Sequence, residues 1–170
     1  MPKPAVAIVA LACLASPGAS ATGLGDGENE AAQAIVIRGQ DGDVLASVPF
    51  HGEHFAVSYR NSIYGTLAEE RYAVLPDGRY RLVEIAADQL AVLEEYYAVP
   101  GAPRRAAESD RREWVVSPDP ERPTVLRILS IAATDLGERT VHVPGEPPLE
   151  LWWLVGDRDP FVVLDIEEKP

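Results

Sequence analysis

The densest group of hydrogen-bonding side chains in this chain lies between Phe55 and Glu70. Phe55, Val57 and Tyr59 alternate with Ala56, Ser58 and Arg60, the period of a half-buried strand. That strand runs into Arg60, Asn61, Ser62, Tyr64, Thr66, Glu69 and Glu70. Two readings of the cluster stand. As structure, Asn61 and Ser62 bond their own backbone, Gly65 permits a bend, and Glu69 pairs with Arg71 on the next strand. As a site, Tyr59, Asn61, Ser62, Tyr64 and Thr66 donate and accept hydrogen bonds, Arg60 binds an anion, and Glu70 orients a neighbour. The ligand that suits such a site is a small carboxylate, such as an organic acid.

Other residues invite chemistry less strongly. His51 and His54 are three apart between strand and loop, whereas zinc proteases set two histidines at i and i+4 on a helix. Asp41 with Asp43, and Asp157 with Asp159, lack the remaining oxygen ligands of a calcium loop and read as turn residues. No metal or cofactor is expected. Ser62 with His54 or His142 and an acid is the only nucleophilic arrangement on offer, and no G-x-S-x-G elbow supports it. A small hydrolase is therefore a second alternative, and the chain reads as a non-enzyme first. Arg104, Arg105, Arg111 and Arg112 form a basic cluster that is either a solvated loop or a carboxylate clamp.

The elements that must position these residues are mostly β. Ile35–Arg38, Val44–Phe50, Phe55–Arg60, Glu70–Leu75, Tyr80–Ile85, Trp114–Val116, Val125–Ile131, Arg139–Val143, Leu149–Val155 and Phe161–Ile166 read as strands. Asp-Gly chemistry at Gln40–Asp43 and at Pro76-Asp77-Gly78 supplies turns between them. About ten short strands predict an antiparallel β-sandwich or a partly closed barrel. Ala86–Ala98 dissents, with Leu90, Leu93 and Tyr97 at helical spacing and Asp88 as a cap, and predicts one short helix. Pro100–Arg112 reads as a long loop. Trp152 and Trp153, adjacent on a predicted strand, are expected to face opposite ways, one into the core and one outward.

The N-terminus has the order of a secretory signal peptide: Lys3, the apolar run Ala5 to Ala15, the break at Ser16-Pro17-Gly18, and a small-x-small site at Ala19–Ala21. The apolar run falls short of the roughly 18–20 residues needed to span a bilayer. Residues 1–21 are thus expected to be removed, residues 22–33 to be a flexible leader, and residues 34–170 to be one exported, periplasmic or extracytoplasmic domain without a membrane span. Retention of the segment as an anchor is the other reading. Cleavage removes Cys13, the only cysteine, so no disulfide is expected. The net charge of −12 makes nucleic acid a poor partner, because phosphate binding needs clustered cations. It reads instead as solubility.

Tyr59-Arg60-Asn61-Ser62-Ile63-Tyr64-Gly65-Thr66-Leu67-Ala68-Glu69-Glu70 resembles the signature of the domain of unknown function 1850. That signature is a strand entering Tyr-x-His-Ser-Val, two variable positions, then Thr-Pro-Val-x-Glu. Tyr59, Ser62, Thr66 and Glu70 match it, and Ile63 is a close substitute. Asn61 replaces the histidine and Leu67 the proline. Leu90-Ala-Val-Leu93 stands where the family has a Phe-Gly-Ala-Gly-type stretch. The resemblance implies an exported, mostly β domain. Genes of that family often neighbour those of TAXI-class TRAP transporters, which import organic acids with an extracytoplasmic solute receptor. It therefore implies a non-enzymatic accessory or interaction domain, with a transporter subunit or the solute receptor as partner. Asn61 neither titrates nor commonly binds transition metals, so no proton carrier or metal ligand is expected there.

Overall fold

A computed structural model describes residues 33–97, 101–156 and 158–168. The predicted signal peptide and almost all of the predicted leader lie outside the described residues. The fold is an antiparallel β-sandwich with no closed barrel. One sheet has the order β2(Val44–Phe50), β1(Gln33–Gly39), β12(Phe161–Glu168), β9(Leu129–Ala132). The larger sheet runs β11(Leu149–Glu150), β10(Thr140–His142), β3(His54–Arg60), β4(Leu67–Val74), β5(Tyr80–Ala87), β7(Trp114–Val116), β6(Arg104–Arg105), and β8(Val125–Leu126) also pairs with β5. No helix among the described residues is long and apolar enough to cross a membrane.

Alternation decides which side chains enter the core. Phe55 and Val57 of β3, Tyr72 of β4, Tyr80 of β5 and Val141 of β10 face Ile35 and Ile37 of β1, Ile131 of β9, and Val162 and Leu164 of β12. Beyond the reach of the smaller sheet the same inner face continues as Tyr59, Ala68, Ile85, Ala87 and Val116. There it is capped by the helical turn Val92–Tyr96, whose Val92 and Leu93 are buried. Tyr80 ties the layers together: fully buried, it donates its hydroxyl to the Leu164 carbonyl across the core (3.2 Å).

Four elements differ from their sequence expectation: within the expected Pro100–Arg112 loop, Arg104–Arg105 pair with β7 as β6, and three others change as follows. The Ala86–Ala98 helix shortens to the turn Val92–Tyr96, closed by Tyr97 N–H to Val92 C=O (3.1 Å). The reason is pairing: Ala86 and Ala87 are held in β5 between β4 and β7. Asp88 makes no cap there. Val125–Ile131 splits into β8 and β9, which belong to different sheets. The break lets both Leu126 and Leu129 pack on the one core. Leu149–Val155 is a strand only at its start. Leu151–Trp153 winds into a single 3-10 turn, so Leu151 takes the core position, Trp152 is half-buried and Trp153 is exposed.

β5 carries one more irregularity. Leu82 pairs with Tyr72 and Glu84 with Arg71, leaving Val83 without a partner. Such a bulge puts consecutive side chains on one face, here the outer one.

Tyr80→Phe is expected to lower stability by about 1 kcal/mol, the usual net value of a hydrogen bond. Urea unfolding followed by circular dichroism measures it.

Candidate functional site

The outer face of the large sheet is polar where the inner one is apolar. Thr140, Ser58, Glu69 and Ala86 stand in one row across β10, β3, β4 and β5. His142, Ala56, Arg71 and Glu84 form the next. Glu69 is the centre: its side chain is 0 % exposed. A carboxylate removed from water costs several kcal/mol unless it is paired and hydrogen-bonded. Arg71 Nε and Arg111 Nη2 both donate to Glu69 Oε1 (2.8 Å each), and Arg112 Nε lies 3.9 Å from Oε2.

The β6–β7 hairpin delivers the last two arginines. Its loop folds back through Ala106 N–H to Glu113 C=O (2.9 Å) and Asp110 N–H to Ala107 C=O (2.9 Å). Asp110 then takes two N–H groups of Arg71 (2.6 and 2.8 Å), and Glu84 takes another (2.8 Å). Burial pushes the Glu69 carboxyl up, but the hydrogen bonds from Arg111 and Arg71 outweigh it and hold its pKa below the usual range. The Arg71 hydrogen bond likewise draws Asp110 down to about 2. The basic cluster is thus partly a clamp on the chain's own acids. Arg104 pairs with Glu84, while Arg105 pairs with Glu113 and sits over the Trp114 ring.

His142 shares a 2.8 Å hydrogen bond between its Nε2 and Ser58 Oγ. Burial, then the nearby Arg111 charge, lowers its pKa and favours the neutral ring. The histidine therefore meets Ser58 rather than Ser62. Ser58 is only 6 % exposed, and its hydroxyl holds the ring in place. His51 and His54 are both exposed, one before and one at the start of β3.

The residues expected to bind a ligand divide into two groups. Arg60, Asn61, Ser62, Tyr64 and Thr66 build one turn. Asn61 Oδ1 accepts the Ile63 and Tyr64 backbone N–H groups (3.0 and 3.2 Å). Asn61 C=O accepts Gly65 N–H (2.7 Å), with Gly65 at φ 66°, a conformation glycine takes at little cost. Arg60 donates to Gly65 C=O (3.1 Å) and pairs with Glu138 (2.7 Å). Tyr64 donates to Glu95 (2.7 Å). Ser62 is exposed, and Thr66 Oγ1 is buried without a partner among the described residues.

Tyr59 and Glu70 belong to the inner face and a different network. Tyr59 donates to the Tyr97 hydroxyl (2.6 Å), Tyr97 to Glu70 Oε1 (2.7 Å), and Tyr72 to Glu70 Oε2 (2.6 Å). The Arg139 guanidinium lies over the Tyr59 ring at 4.3 Å. Burial first raises the Tyr59 pKa to about 12, so all its chemistry at neutral pH is that of a hydrogen-bonding phenol. Sequence reasoning reached Tyr59 and Glu70 but missed Tyr97 as their link. The outer-face set of Ser58, His142 and Glu69 had one available signal, the alternation that puts Ser58 opposite Val57.

Glu69→Gln removes the buried charge and keeps the shape. It is expected to cost about 3 kcal/mol, because the arginines are left facing an amide, read as a drop in urea midpoint. The pH profile carries a second test. Glu69 and Asp110 are depressed in the fold, so their stabilisation is complete above the unfolded carboxyl range and lost as pH falls through their lowered folded values, about 2 for Asp110. His142, also depressed, begins the loss once pH falls below the 6.5 of a free imidazole, because the unfolded chain takes up the proton first. Thermal melts from neutral to acid pH should fall monotonically, and a flat profile would contradict the assignment.

No protein-family model, curated protein or solved structure matches this chain.

Proposed function

We propose that this chain is an exported, non-enzymatic accessory domain that contacts a TAXI-class TRAP transporter, or its solute receptor, in organic-acid uptake. The observation that carries this reading is how the signature-like segment folds. It builds a turn braced by Asn61, by Gly65 and by the Arg60–Glu138 pair, and holds Ile63 at 68 % exposure.

An apolar side chain held out on an internally braced turn suits contact with a protein surface, since little conformational entropy is left to lose on binding. The partner class comes from the likeness to the 1850 domains, and export from the order of the N-terminal residues. The small-carboxylate reading finds less support at this segment, because Arg60 is already engaged by Glu138 and the Gly65 carbonyl.

Ile63→Asp should leave the thermal melt unchanged and weaken capture of the organism's own TAXI-class solute receptor or transporter subunits by roughly tenfold or more, as expected for an interface centre. Pull-down of those defined partners, expressed alongside, measures it. Equal capture by Ile63→Asp, or none by the wild type under mild detergent, would sink the proposal.

A further inference from the structure

The outer face of the large sheet holds a cleft of about 640 Å³ that the reading above does not use. Its floor follows from register. His142, Ala56, Arg71 and Glu84 stand side by side across four strands. Neighbouring strands are roughly 4.8 Å apart, so the small Ala56 between a histidine and an arginine leaves an unfilled trough. Val83, turned outward by the bulge, forms one wall, and Pro144 and Pro148 in the loop after β10 form another.

The charges around this trough are unequal in their freedom. Arg71 already binds three carboxylates through Nε, Nη1 and Nη2. Glu69 and Glu84 are matched by arginines. Arg111 differs: its side chain is 51 % exposed, and one hydrogen bond, to Glu69, is its whole side-chain engagement among the described residues. A guanidinium offers five N–H groups, so a carboxylate-sized face of it remains available. Glu146 lines the same cleft without an ion-pair partner among the described residues. A second negative charge on a ligand would share the cleft with Glu146, which is unfavourable where the charges are partly desolvated.

We propose that this cleft binds a small monocarboxylate with an apolar tail, the carboxylate on Arg111 beside His142 and the tail over Ala56 against Val83 and Pro148. The ligand class follows, among the described residues, from the half-exposed Arg111 guanidinium, from Glu146 without an ion pair and from the apolar walls, the composition of a small-molecule site. It stands independently of the partner contact at Ile63.

The test uses the intact chain and three probes of equal length, hexanoate, hexanamide and adipate, followed by titration calorimetry. Hexanoate should bind, and hexanamide and adipate should each bind at least roughly tenfold more weakly. Arg111→Gln should weaken hexanoate by a similar factor. Because that change also loosens Glu69, Ala56→Leu is the independent variant: it fills the floor and leaves every arginine contact in place. It too should weaken hexanoate roughly tenfold, with the circular dichroism spectrum unchanged. Equal affinity for hexanamide, equal affinity in folded Ala56→Leu, or no binding of hexanoate would each overturn the proposal.

Discussion

Glu69 sets the terms for one whole face of this molecule. Its carboxylate has no exposure, yet it sits in the middle of a β-strand, where no backbone amide is free to neutralise it. Cations have to come to it, and only Arg71 is local. The other two arrive on the β6–β7 loop. That loop is therefore not a free connection: it is drawn across the sheet by charge. Its Asp110 completes the arrangement by engaging Arg71 from the far side. A buried ion network of this kind contributes little net stability beside an apolar alternative, but it is costly to leave half made. It fixes where the loop lies and so shapes what stands open beside it.

The segment that first draws the eye, from Tyr59 to Glu70, serves three places at once. Tyr59 and Glu70 lie on the inner face and close the upper core through Tyr97. Glu69, one residue earlier than Glu70, points the opposite way into the arginines. Between the strands, Asn61 organises the turn that exposes Ile63. A polar cluster in sequence thus becomes three separate polar structures in space, because a strand sends neighbours to opposite faces. Density of hydrogen-bonding residues along a chain is a poor guide to a site when the chain is extended.

What could be read in advance was what is decided locally. The hairpin turns at Gly42 and Gly78 take the positive φ that their Asp-Gly chemistry calls for, and the alternation of β3 picks out the side chains that enter the apolar core, Phe55, Val57 and Tyr59; burial itself does not alternate, because Ala56 and Ser58 are covered on the outer face. The Glu69–Arg71 pair was legible because residues two apart share a strand face. Tertiary demands decided the rest. Helical spacing over Ala86–Ala98 lost to strand pairing on both sides of β5. The run from Val125 broke because two leucines had to reach one core from two sheets. Arg111 meets Glu69 across 42 positions and His142 meets Ser58 across 84. Nothing in local pattern announces contacts at such range.

The unpaired Val83 has a consequence for how this face can change over generations. Around it the inward residues Tyr80, Leu82 and Ile85 already keep their side of the sheet. Deleting Val83 alone would restore strict alternation and leave that inward set in phase. Most deletions in a strand invert everything beyond them; this one would not. A wall of the outer trough can therefore be gained or lost by an in-frame codon event, with no redesign of the core. The interior and the outer recess are in this sense separately heritable parts of the same sheet.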